Sequence, residues 1–360
     1  MINVLIVDDS PLARNILRDF LEEDGNFNII GEAVDGEDGV QKILSLDPDL
    51  VTLDIEMPKK TGLEVIEEVM KKIPVPIVVI TSHDTAKTAY EATVKGALEF
   101  YSKDLFTRTM SPEKRREIFD TLKRISSIKA NRRLSAAAYG VSPVRPAVAA
   151  ASAAAVGVLP PQRSSPLEPR KINAVVVASS TGGPRALSIF FSLLPNRFPV
   201  PIVIVQHNSS GFDKSFAQWL NTYTDLDVKV AEEGDLPKAG TVYIARTDMH
   251  LELRPADGQN CSLHYSDAAA ENNQKPAADV LFRTAAECLK EAVVSVVLTG
   301  MGSDGALGTR KIREMGGITL AQDEESSLIY GMPKAAAETG CVDMVLPLDM
   351  IPGELAKIVK

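Results

Sequence analysis

The chain has 360 residues, which exceeds the usual size of a single hydrophobic core and predicts two domains. Its 48 acidic residues against 39 basic ones give a formal net charge of −9, which argues against nucleic acid as the main partner, because phosphate contacts need clustered Lys and Arg. No apolar run reaches the roughly 18 residues of a spanning helix and no basic leader precedes the first strand, so we expect a cytoplasmic protein without membrane insertion.

Apolar strands alternate with amphipathic helical stretches over the first 125 residues. The predicted strands are Val4–Val7, Asn28–Ala33, Leu50–Leu53, Ile77–Thr81 and Leu98–Tyr101. Helical periodicity lies between them, as in Ala13–Glu23 and Gly62–Lys72. Five such units predict an α/β domain with a doubly wound parallel sheet covered on both faces.

Three carboxylates follow two of these strands. Asp8 and Asp9 come after the first strand, and Asp54 comes after the third. Any one of them taken alone would more commonly cap a helix. Because the carboxyl ends of parallel strands meet at one edge of the sheet, the three side chains are expected to converge. Carboxylates are the ligands that Mg²⁺ prefers, and Asp54 is also placed as a nucleophile toward a phosphoryl donor.

Two further strand ends carry residues that suit a phosphate switch. Thr81 could hydrogen-bond a transferred phosphoryl group, and Lys103 could pair with its charge. Together with the three carboxylates, these residues make chance placement at the strand ends improbable.

The combined set resembles a two-component receiver domain, which has a flavodoxin-like fold. The motif D-I-E-M-P that begins at Asp54 is part of the resemblance, which covers residues 1 to about 125. It implies that Asp54 is the phospho-acceptor, that Mg²⁺ is the cofactor, and that a sensor histidine kinase is the phosphoryl donor. It also implies that Phe100 is an aromatic position coupled to the Thr81 switch. Receivers usually follow the lysine with proline, whereas Lys103 is followed by Asp104.

The composition changes after this domain. Ser111 and Pro112 are typical of the N-cap and first residue of a helix, which we expect to run toward Lys129–Arg133 and to close the domain. The stretch Ser135–Arg170 is rich in Ala, Pro and Ser and lacks periodicity, which predicts a flexible linker. The predicted division is therefore 1–125, a helix end and linker over 126–170, and a second domain over 171–360.

The second domain begins with a predicted strand, Ile172–Ala178, followed by S-S-T-G-G-P and a helical pattern through Leu194. A strand, a glycine turn and a helix N-terminus together form a favourable binding site for an oxyanion. Ser180 in this turn could attack a carbonyl group while backbone N–H groups stabilise the oxyanion. For an isolated S-T-G-G, a phosphate-binding turn or N-capping by Ser180 or Thr181 is the commoner role.

A serine nucleophile needs a base, and two further strand ends supply candidates. His207 directly follows the predicted strand Ile202–Gln206, and Asp304 follows Val293–Thr299 in the run G-M-G-S-D-G. Placement at the same sheet edge as Ser180 predicts a base at His207 and an orienting acid at Asp304. Taken alone, Asp304 could equally be a helix N-cap.

The other histidines of this domain are weaker candidates. His264 lies in an alternating segment and is expected to face solvent or to fill a strand position. His250 follows a turn and could line the cleft.

These motifs resemble the catalytic domain of chemotaxis methylesterases of the CheB type, over about residues 171–360. The resemblance matches Ser180 to the nucleophile, His207 to the base and Asp304 to the orienting acid, within a modified Rossmann-like fold. It implies that the backbone N–H of Met301, with that of Thr181, forms the oxyanion hole. The implied reaction is hydrolysis of glutamate γ-methyl esters on methyl-accepting chemoreceptors, without a cofactor in this domain, and in some members deamidation of glutamine.

Two other hypotheses for the function of the chain remain. One is a receiver joined to a non-catalytic, phosphate-binding or scaffolding domain. The other is a transcriptional regulator, which is disfavoured because the second domain is too long, too rich in βα pattern and not basic. Under the enzyme hypothesis, the domain order suggests that the unphosphorylated receiver covers the esterase cleft.

The three cysteines show neither metal-ligand nor disulfide-framework spacing. Cys261, Cys288 and Cys341 are therefore predicted to be small buried apolar residues rather than metal ligands or halves of a disulfide.

Overall fold

The computed structural model describes residues 1–82, 86–106, 110–128, 169–256 and 261–359. Most of the predicted linker, residues 129–168, lies outside these ranges. Two α/β units, each built on a parallel sheet, account for the described residues.

The first unit is a five-stranded parallel sheet with the strand order β2-β1-β3-β4-β5. Its strands are β1 Ile2–Val7, β2 Phe27–Ala33, β3 Leu50–Leu53, β4 Ile77–Thr81 and β5 Glu99–Ser102. Its helices are α1 Pro11–Glu23, α2 Gly36–Leu46, α3 Gly62–Lys72, α4 Ala86–Lys95 and α5 Pro112–Ser127. The predicted doubly wound sheet is confirmed, and the predicted boundaries that can be compared agree within two residues.

Local sequence explains where these helices begin. Ser10 and Ser111 accept hydrogen bonds from the first turns of α1 and α5, and each is followed by proline at the first helical position. Thr61 and Glu64 form a capping box at the start of α3. The helix that begins at Pro112 is confirmed, while its expected extension toward Lys129–Arg133 lies outside the described residues.

The second unit is a seven-stranded sheet with the order β14-β13-β12-β6-β7-β9-β8, in which all neighbours are parallel. Its strands are β6 Ala174–Ser179, β7 Ile202–Gln206, β8 Asp227–Val230, β9 Thr241–Ile244, β12 Val293–Val297, β13 Ile318–Gln322 and β14 Met344–Leu346. A separate antiparallel pair is formed by β10 His250–Pro255 and β11 Cys261–Ser266. Its helices are α6 Gly183–Leu193, α7 Asp213–Leu220, α8 Ala278–Leu289, α9 Ala306–Glu314, α10 Met332–Glu338 and α11 Ile351–Ile358.

The prediction for two of the cysteines is wrong. Cys261 in β11 and Cys288 in α8 form a disulfide, with a Cα–Cα distance of 6.5 Å. Their spacing along the chain does not reveal this pairing, because the pairing depends on the β10–β11 pair packing against α8. Cys341 is a free, half-buried cysteine.

The two units share an aromatic cluster, which we define as Tyr90 and Phe100 of the first unit with Phe212, Phe216 and Trp219 of the second. The ring centroids of Tyr90 and Trp219 are 5.2 Å apart, and those of Phe100 and Phe212 are 5.4 Å apart. The Tyr90 hydroxyl donates a hydrogen bond to the Phe212 carbonyl at 3.4 Å. All five side chains are buried, so part of the hydrophobic core is continuous between the units.

This shared core generates a stability prediction. Phe212→Ala is expected to lower the free energy of unfolding by about 3 kcal/mol or more, because it leaves a cavity in the aromatic cluster. Trp219 is the single tryptophan of the chain, so its fluorescence during urea denaturation reports on the cluster directly. Leu193→Ala is the control, since Leu193 is half exposed on α6 and its loss should change the free energy by no more than about 0.5 kcal/mol. Equal denaturation midpoints for the two variants would contradict the prediction.

Candidate active site and phosphorylation site

Three neighbouring strands bring Ser180, His207 and Asp304 to one edge of the second sheet. Strand β6 lies between β7 and β12, and all three run parallel. Ser180 directly follows β6, His207 directly follows β7, and Asp304 lies in the loop after β12. Backbone hydrogen bonds join these ends: Ser180 N donates to Thr299 O, and His207 N donates to Ser179 O, each at 3.0 Å.

His207 and Asp304 form a buried pair. His207 Nε2 lies 2.9 Å from Asp304 Oδ2, and the two side chains are 8% and 2% exposed. An ionised carboxylate only accepts hydrogen bonds, so this contact assigns the proton to Nε2 and leaves a lone pair on Nδ1. Among the described residues Nδ1 has no hydrogen-bond partner. The pair is therefore assembled, while Ser180 is not yet hydrogen-bonded to it.

The surroundings of Asp304 favour its charged form. Its Oδ2 accepts a hydrogen bond from Ala278 N at 2.6 Å, and its Oδ1 accepts from Asp279 N and Gly305 N at 3.0 Å each. Burial by itself would raise the pKa of Asp304, but His207 and these amides outweigh it and hold the pKa below its ordinary value. Asp304 does not cap α9, because Gly305 occupies the N-cap position.

The turn after β6 is shaped by two glycines. Gly182 has a φ of 78° and is the N-cap of α6, so neither Ser180 nor Thr181 caps this helix. A Cβ at Gly182 would lie 2.8 Å from Leu328, and one at Gly183 would lie 2.0 Å from Gln206 Oε1. Side chains at these positions would push the turn away from its neighbours, which explains the two glycines.

Sequence reasoning missed Gln206, which connects the loop after β6 to the loop after β7. Its Oε1 accepts a hydrogen bond from Ser179 Oγ at 2.6 Å, and its Nε2 donates to Ser180 O at 3.1 Å and His207 O at 2.9 Å. Gln206 is 2% exposed, so these bonds replace its contacts with water. Its position directly before His207 at the end of a buried strand was the available signal.

The other two histidines of the second unit, His250 and His264, lie apart from this pair. His250 is buried, where its Nδ1 accepts a hydrogen bond from Ala277 N at 3.1 Å and its Nε2 lies 3.0 Å from Ala269 O. It supports the segment before α8 and is absent from the described lining of the cleft, unlike the sequence expectation. His264 lies on β11, as expected, with its Nδ1 2.6 Å from Glu233 Oε1.

A cavity of about 800 Å³ lies over Ser180 and Asp304 and is lined partly by α5 of the first unit. Thr121 Oγ1 on α5 lies 3.8 Å from Met301 Sδ. Lys114 and Glu117 line the same wall. The first unit therefore forms one side of the cleft that contains the candidate nucleophile.

The carboxyl edge of the first sheet holds the predicted acidic cluster. Oxygen atoms of Asp8, Asp9 and Asp54 lie within 4.8 Å of one another. Lys103 Nζ lies 2.7 Å from Asp54 Oδ2 and 2.8 Å from Asp8 Oδ2. Burial raises the pKa of Asp8, aided by the charge of Asp54 and opposed by Lys103. Three carboxylates this close together suit a hard divalent cation such as Mg²⁺.

The remaining residues predicted for this edge occupy neighbouring strands. Thr81 is fully buried at the end of β4, and Phe100 in β5 belongs to the aromatic cluster. Lys103 begins a 3₁₀ turn, in which Asp104 N donates a hydrogen bond to Ser102 Oγ at 3.3 Å. Lys103 therefore reaches the carboxylates without a following proline.

Glu99 is an interface residue that the sequence did not reveal. Its half-buried carboxyl group hydrogen-bonds the side chain of Thr181, next to Ser180. Burial raises the pKa of Glu99 to about 7, although hydrogen bonds from Phe100 N and Thr181 oppose the shift. A carboxyl group that titrates near neutrality thus lies between the first unit and the candidate nucleophile turn.

Family models match both units. The model of the CheB methylesterase matches residues 175–355, and that of the response regulator receiver domain matches residues 4–111. No helix among the described residues combines the length and apolar character needed to cross a membrane.

Curated relatives match along the entire chain. A protein-glutamate methylesterase/protein-glutamine glutaminase of Pyrococcus abyssi is 38% identical over 363 residues, covering 100% of this chain and 94% of that protein. A protein of the same name from Thermotoga maritima is 36% identical over 367 residues, covering 100% of this chain and 99% of that protein. The solved catalytic domain of Thermotoga maritima CheB methylesterase is 43% identical, covers 53% of this chain and 100% of that one, and gives a TM-score of 0.51. This chain therefore belongs to the CheB methylesterase family and carries a response regulator receiver domain ahead of the methylesterase domain.

Proposed function

We propose that this protein hydrolyses glutamate γ-methyl esters on chemoreceptors through Ser180, His207 and Asp304, and that phosphorylation of Asp54 regulates the reaction. The observation that carries the proposal is the 2.9 Å contact between His207 Nε2 and Asp304 Oδ2, beside Ser180 at adjacent strand ends. The names of the relatives that match along the entire chain support the same substrate class.

In the first half of the reaction, Nδ1 of His207 accepts the proton of the Ser180 hydroxyl as Ser180 Oγ attacks the ester carbonyl carbon. Negative charge then develops on the carbonyl oxygen, toward which the N–H groups of Thr181 and Met301 would donate. Asp304 stabilises the imidazolium that forms. Collapse of the tetrahedral intermediate breaks the bond to methoxide, which leaves as methanol with the proton from His207.

In the second half, His207 takes a proton from water as the water oxygen attacks the acyl-enzyme. The bond to Ser180 Oγ breaks, Ser180 recovers its proton, and a glutamate side chain is released. Ser180 and His207 must first come into hydrogen-bond contact, which is common when a catalytic pair tightens only around bound substrate.

The same residues could deamidate glutamine. Attack on a glutamine side-chain amide follows the same path, with ammonia leaving after it takes the proton from His207. The relatives' names pair the two activities, which supports deamidation as a second reaction of this site.

Phosphoryl transfer would take place at the acidic edge of the receiver sheet. Asp54 is the proposed acceptor of a phosphoryl group from a sensor histidine kinase, and Asp8, Asp9 and Asp54 would hold Mg²⁺. The cation would neutralise charge on the incoming group. Lys103, which already contacts Asp54, would pair with the phosphoryl oxygens.

The aromatic cluster offers a route from this edge to the esterase cleft. A phosphoryl group near Thr81 would change the surroundings of Phe100, which packs against Phe212. Phe212 closes the loop that begins at His207 and leads into α7. Because α5 lines the cleft, a shift of the receiver that breaks the contact between Thr121 and Met301 would open the cleft. A bias of a few kcal/mol is enough to change the open population by orders of magnitude.

Ser180→Ala is expected to reduce methanol release from methylated receptor membranes by about 10³-fold or more, because the nucleophile is lost. The control is Ser192→Ala, an exposed serine on α6 whose hydroxyl bonds only within its own helix in the described contacts. It should retain the wild-type rate. Comparable release by Ser180→Ala and wild type would rule out this mechanism.

Asp54→Asn is expected to abolish the stimulation of methanol release by a small phosphoryl donor, because the acceptor carboxylate is gone. Removal of Mg²⁺ with a chelator should abolish the stimulation of the wild type as well. Asp19→Asn, on the exposed face of α1, should still be stimulated. Stimulation that survives in Asp54→Asn would show that the donor acts elsewhere.

The raised pKa of Glu99 predicts that basal activity depends on pH through the domain interface. Burial disfavours the ionised form of Glu99, so the closed arrangement is stabilised while Glu99 is protonated. This stabilisation is lost as the pH rises from the ordinary pKa of a glutamate toward about 7. The ratio of basal to phosphorylated activity should therefore rise severalfold between pH 5 and 7.5, roughly as a one-group titration.

Glu99→Gln keeps the neutral form at every pH and should flatten this ratio, whereas the exposed Glu113→Gln on α5 should not. Groups whose titration changes the basal and the phosphorylated activity equally do not affect the ratio of the two activities. The same pH dependence in Glu99→Gln and wild type would exclude Glu99 as its source.

A further inference from the structure

Asn272 lies between two buried carboxyl groups, one of which is the proposed orienting acid. Its Nδ2 donates to Asp279 Oδ2 at 2.8 Å and to Asp304 Oδ1 at 3.1 Å. An amide nitrogen carries two hydrogens, so one can point at each carboxyl group. The amide thus joins the first turn of α8 to the loop after β12.

The two carboxyl groups need such a donor because they are close and nearly inaccessible to water. Asp279 is 1% exposed and Asp304 is 2% exposed. Burial raises the pKa of Asp279, and the charge of Asp304 adds to the shift. Charged or titratable groups that act on the pair include His207, Glu271 and Arg283. Glu271 and Arg283 form an ion pair with each other at 2.9 Å. Asn272 therefore supplies donors where two like charges meet.

Asn272 also fixes how the Asp304 carboxylate is turned. Oδ1 of Asp304 accepts hydrogen bonds from the Asn272 side chain and from the backbone N–H groups of Asp279 and Gly305. Oδ2 of Asp304 is left to contact His207 and Ala278 N. Rotation of the carboxylate would break several of these bonds together. The bond from Asn272 is the only side-chain contribution to Oδ1 among the hydrogen bonds of the described residues.

The backbone holds this amide in place. Glu271 and Gln274 exchange backbone hydrogen bonds of 3.2 and 2.9 Å around a two-residue turn. Asn272 and Asn273, the central residues, have φ angles of 55° and 59°. Two positive φ values match a type I′ turn, for which asparagine is well suited. The turn therefore presents the Asn272 side chain from a defined backbone.

We infer that Asn272 is a positioning residue for the proposed esterase reaction, on which this inference rests. Its amide aligns the Asp304 carboxylate with His207 Nε2 and separates it from Asp279. Asn272 lines the same cleft as Ser180, as does Asn273, but the role inferred for Asn272 is to hold Asp304.

Asn272→Asp is the sharpest test, because it preserves size and tolerance of a positive φ but replaces the donor with a third carboxyl group. At pH 8, kcat for methanol release should fall by about 10- to 100-fold, with KM little changed. The activity relative to wild type should recover partly toward pH 5, where the new carboxyl group is protonated and can again donate. Asn272→Gly deletes the amide without straining the turn, so its smaller loss should not depend on pH.

Asn273→Asp and Asn273→Gly are the matched controls, since Asn273 shares the turn and its backbone conformation. Among the described hydrogen bonds, Asn273 makes none to Asp279 or Asp304. Each control should lose less activity than its Asn272 counterpart, and its ratio to wild type should stay nearly constant with pH. Equal kcat values and equal pH profiles for Asn272→Asp and Asn273→Asp would overturn the inference.

Wild type and Ser180→Ala are measured alongside to separate this inference from the proposed function. Release that requires Ser180 but is indifferent to Asn272 would overturn the positioning role alone. Release that does not require Ser180, or no release by the wild type, would overturn the proposed function and the positioning role with it. Thermal unfolding of each variant identifies a folding defect. If Asn272→Asp does not fold, the kcat of Asn272→Gly against Asn273→Gly decides the question.

Discussion

A carboxylate can be buried in a protein only if hydrogen-bond donors replace the water it loses, and Asp304 shows how far this requirement shapes the catalytic domain. Backbone N–H groups from the start of α8 and from Gly305 converge on it, and the side chains of His207 and Asn272 complete the set. The donors come from loops that follow different strands. The positions of α8, β7 and β12 are therefore tied to one another through a single side chain, and the same bonds favour its ionised form beside His207.

The second constraint is the core that the receiver and the methylesterase domain share. Tyr90 and Phe100 pack against the helix that follows the His207 loop, while α5 forms a wall of the cleft. The acidic edge of the receiver sheet and the cleft are thus connected by buried aromatic rings. Since packed rings have few alternative arrangements, a change at one end is more readily transmitted as a displacement of the domain than absorbed locally.

Much of this arrangement could be predicted from the sequence, because it depends on strand ends. Parallel order places Ser180, His207 and Asp304 at one edge once β6, β7 and β12 are recognised as strands. The same logic brings Asp8 and Asp54 together in the receiver. These predictions need only the alternation of apolar strands with helices and the rule that their carboxyl ends share an edge.

Features that depend on contacts between distant segments could not be predicted in this way. The Cys261–Cys288 disulfide requires the packing of the β10–β11 pair on α8, and the contact of Tyr90 with Phe212 requires the relative placement of two domains. The position of Gln206 directly before His207 was a signal in the sequence, but the hydrogen bonds that its amide makes were not. The role of Asn272 likewise depends on the two carboxyl groups that its amide reaches.

The most direct test of the account is the rate at which a serine-directed fluorophosphonate labels the full-length protein, with and without a phosphoryl donor and Mg²⁺. We predict a covalent adduct that mass spectrometry locates on Ser180. It should form faster when Asp54 is phosphorylated, because α5 of the receiver then moves away from the cleft. An adduct on another serine, or a labelling rate of Ser180 that the donor leaves unchanged, would contradict this prediction.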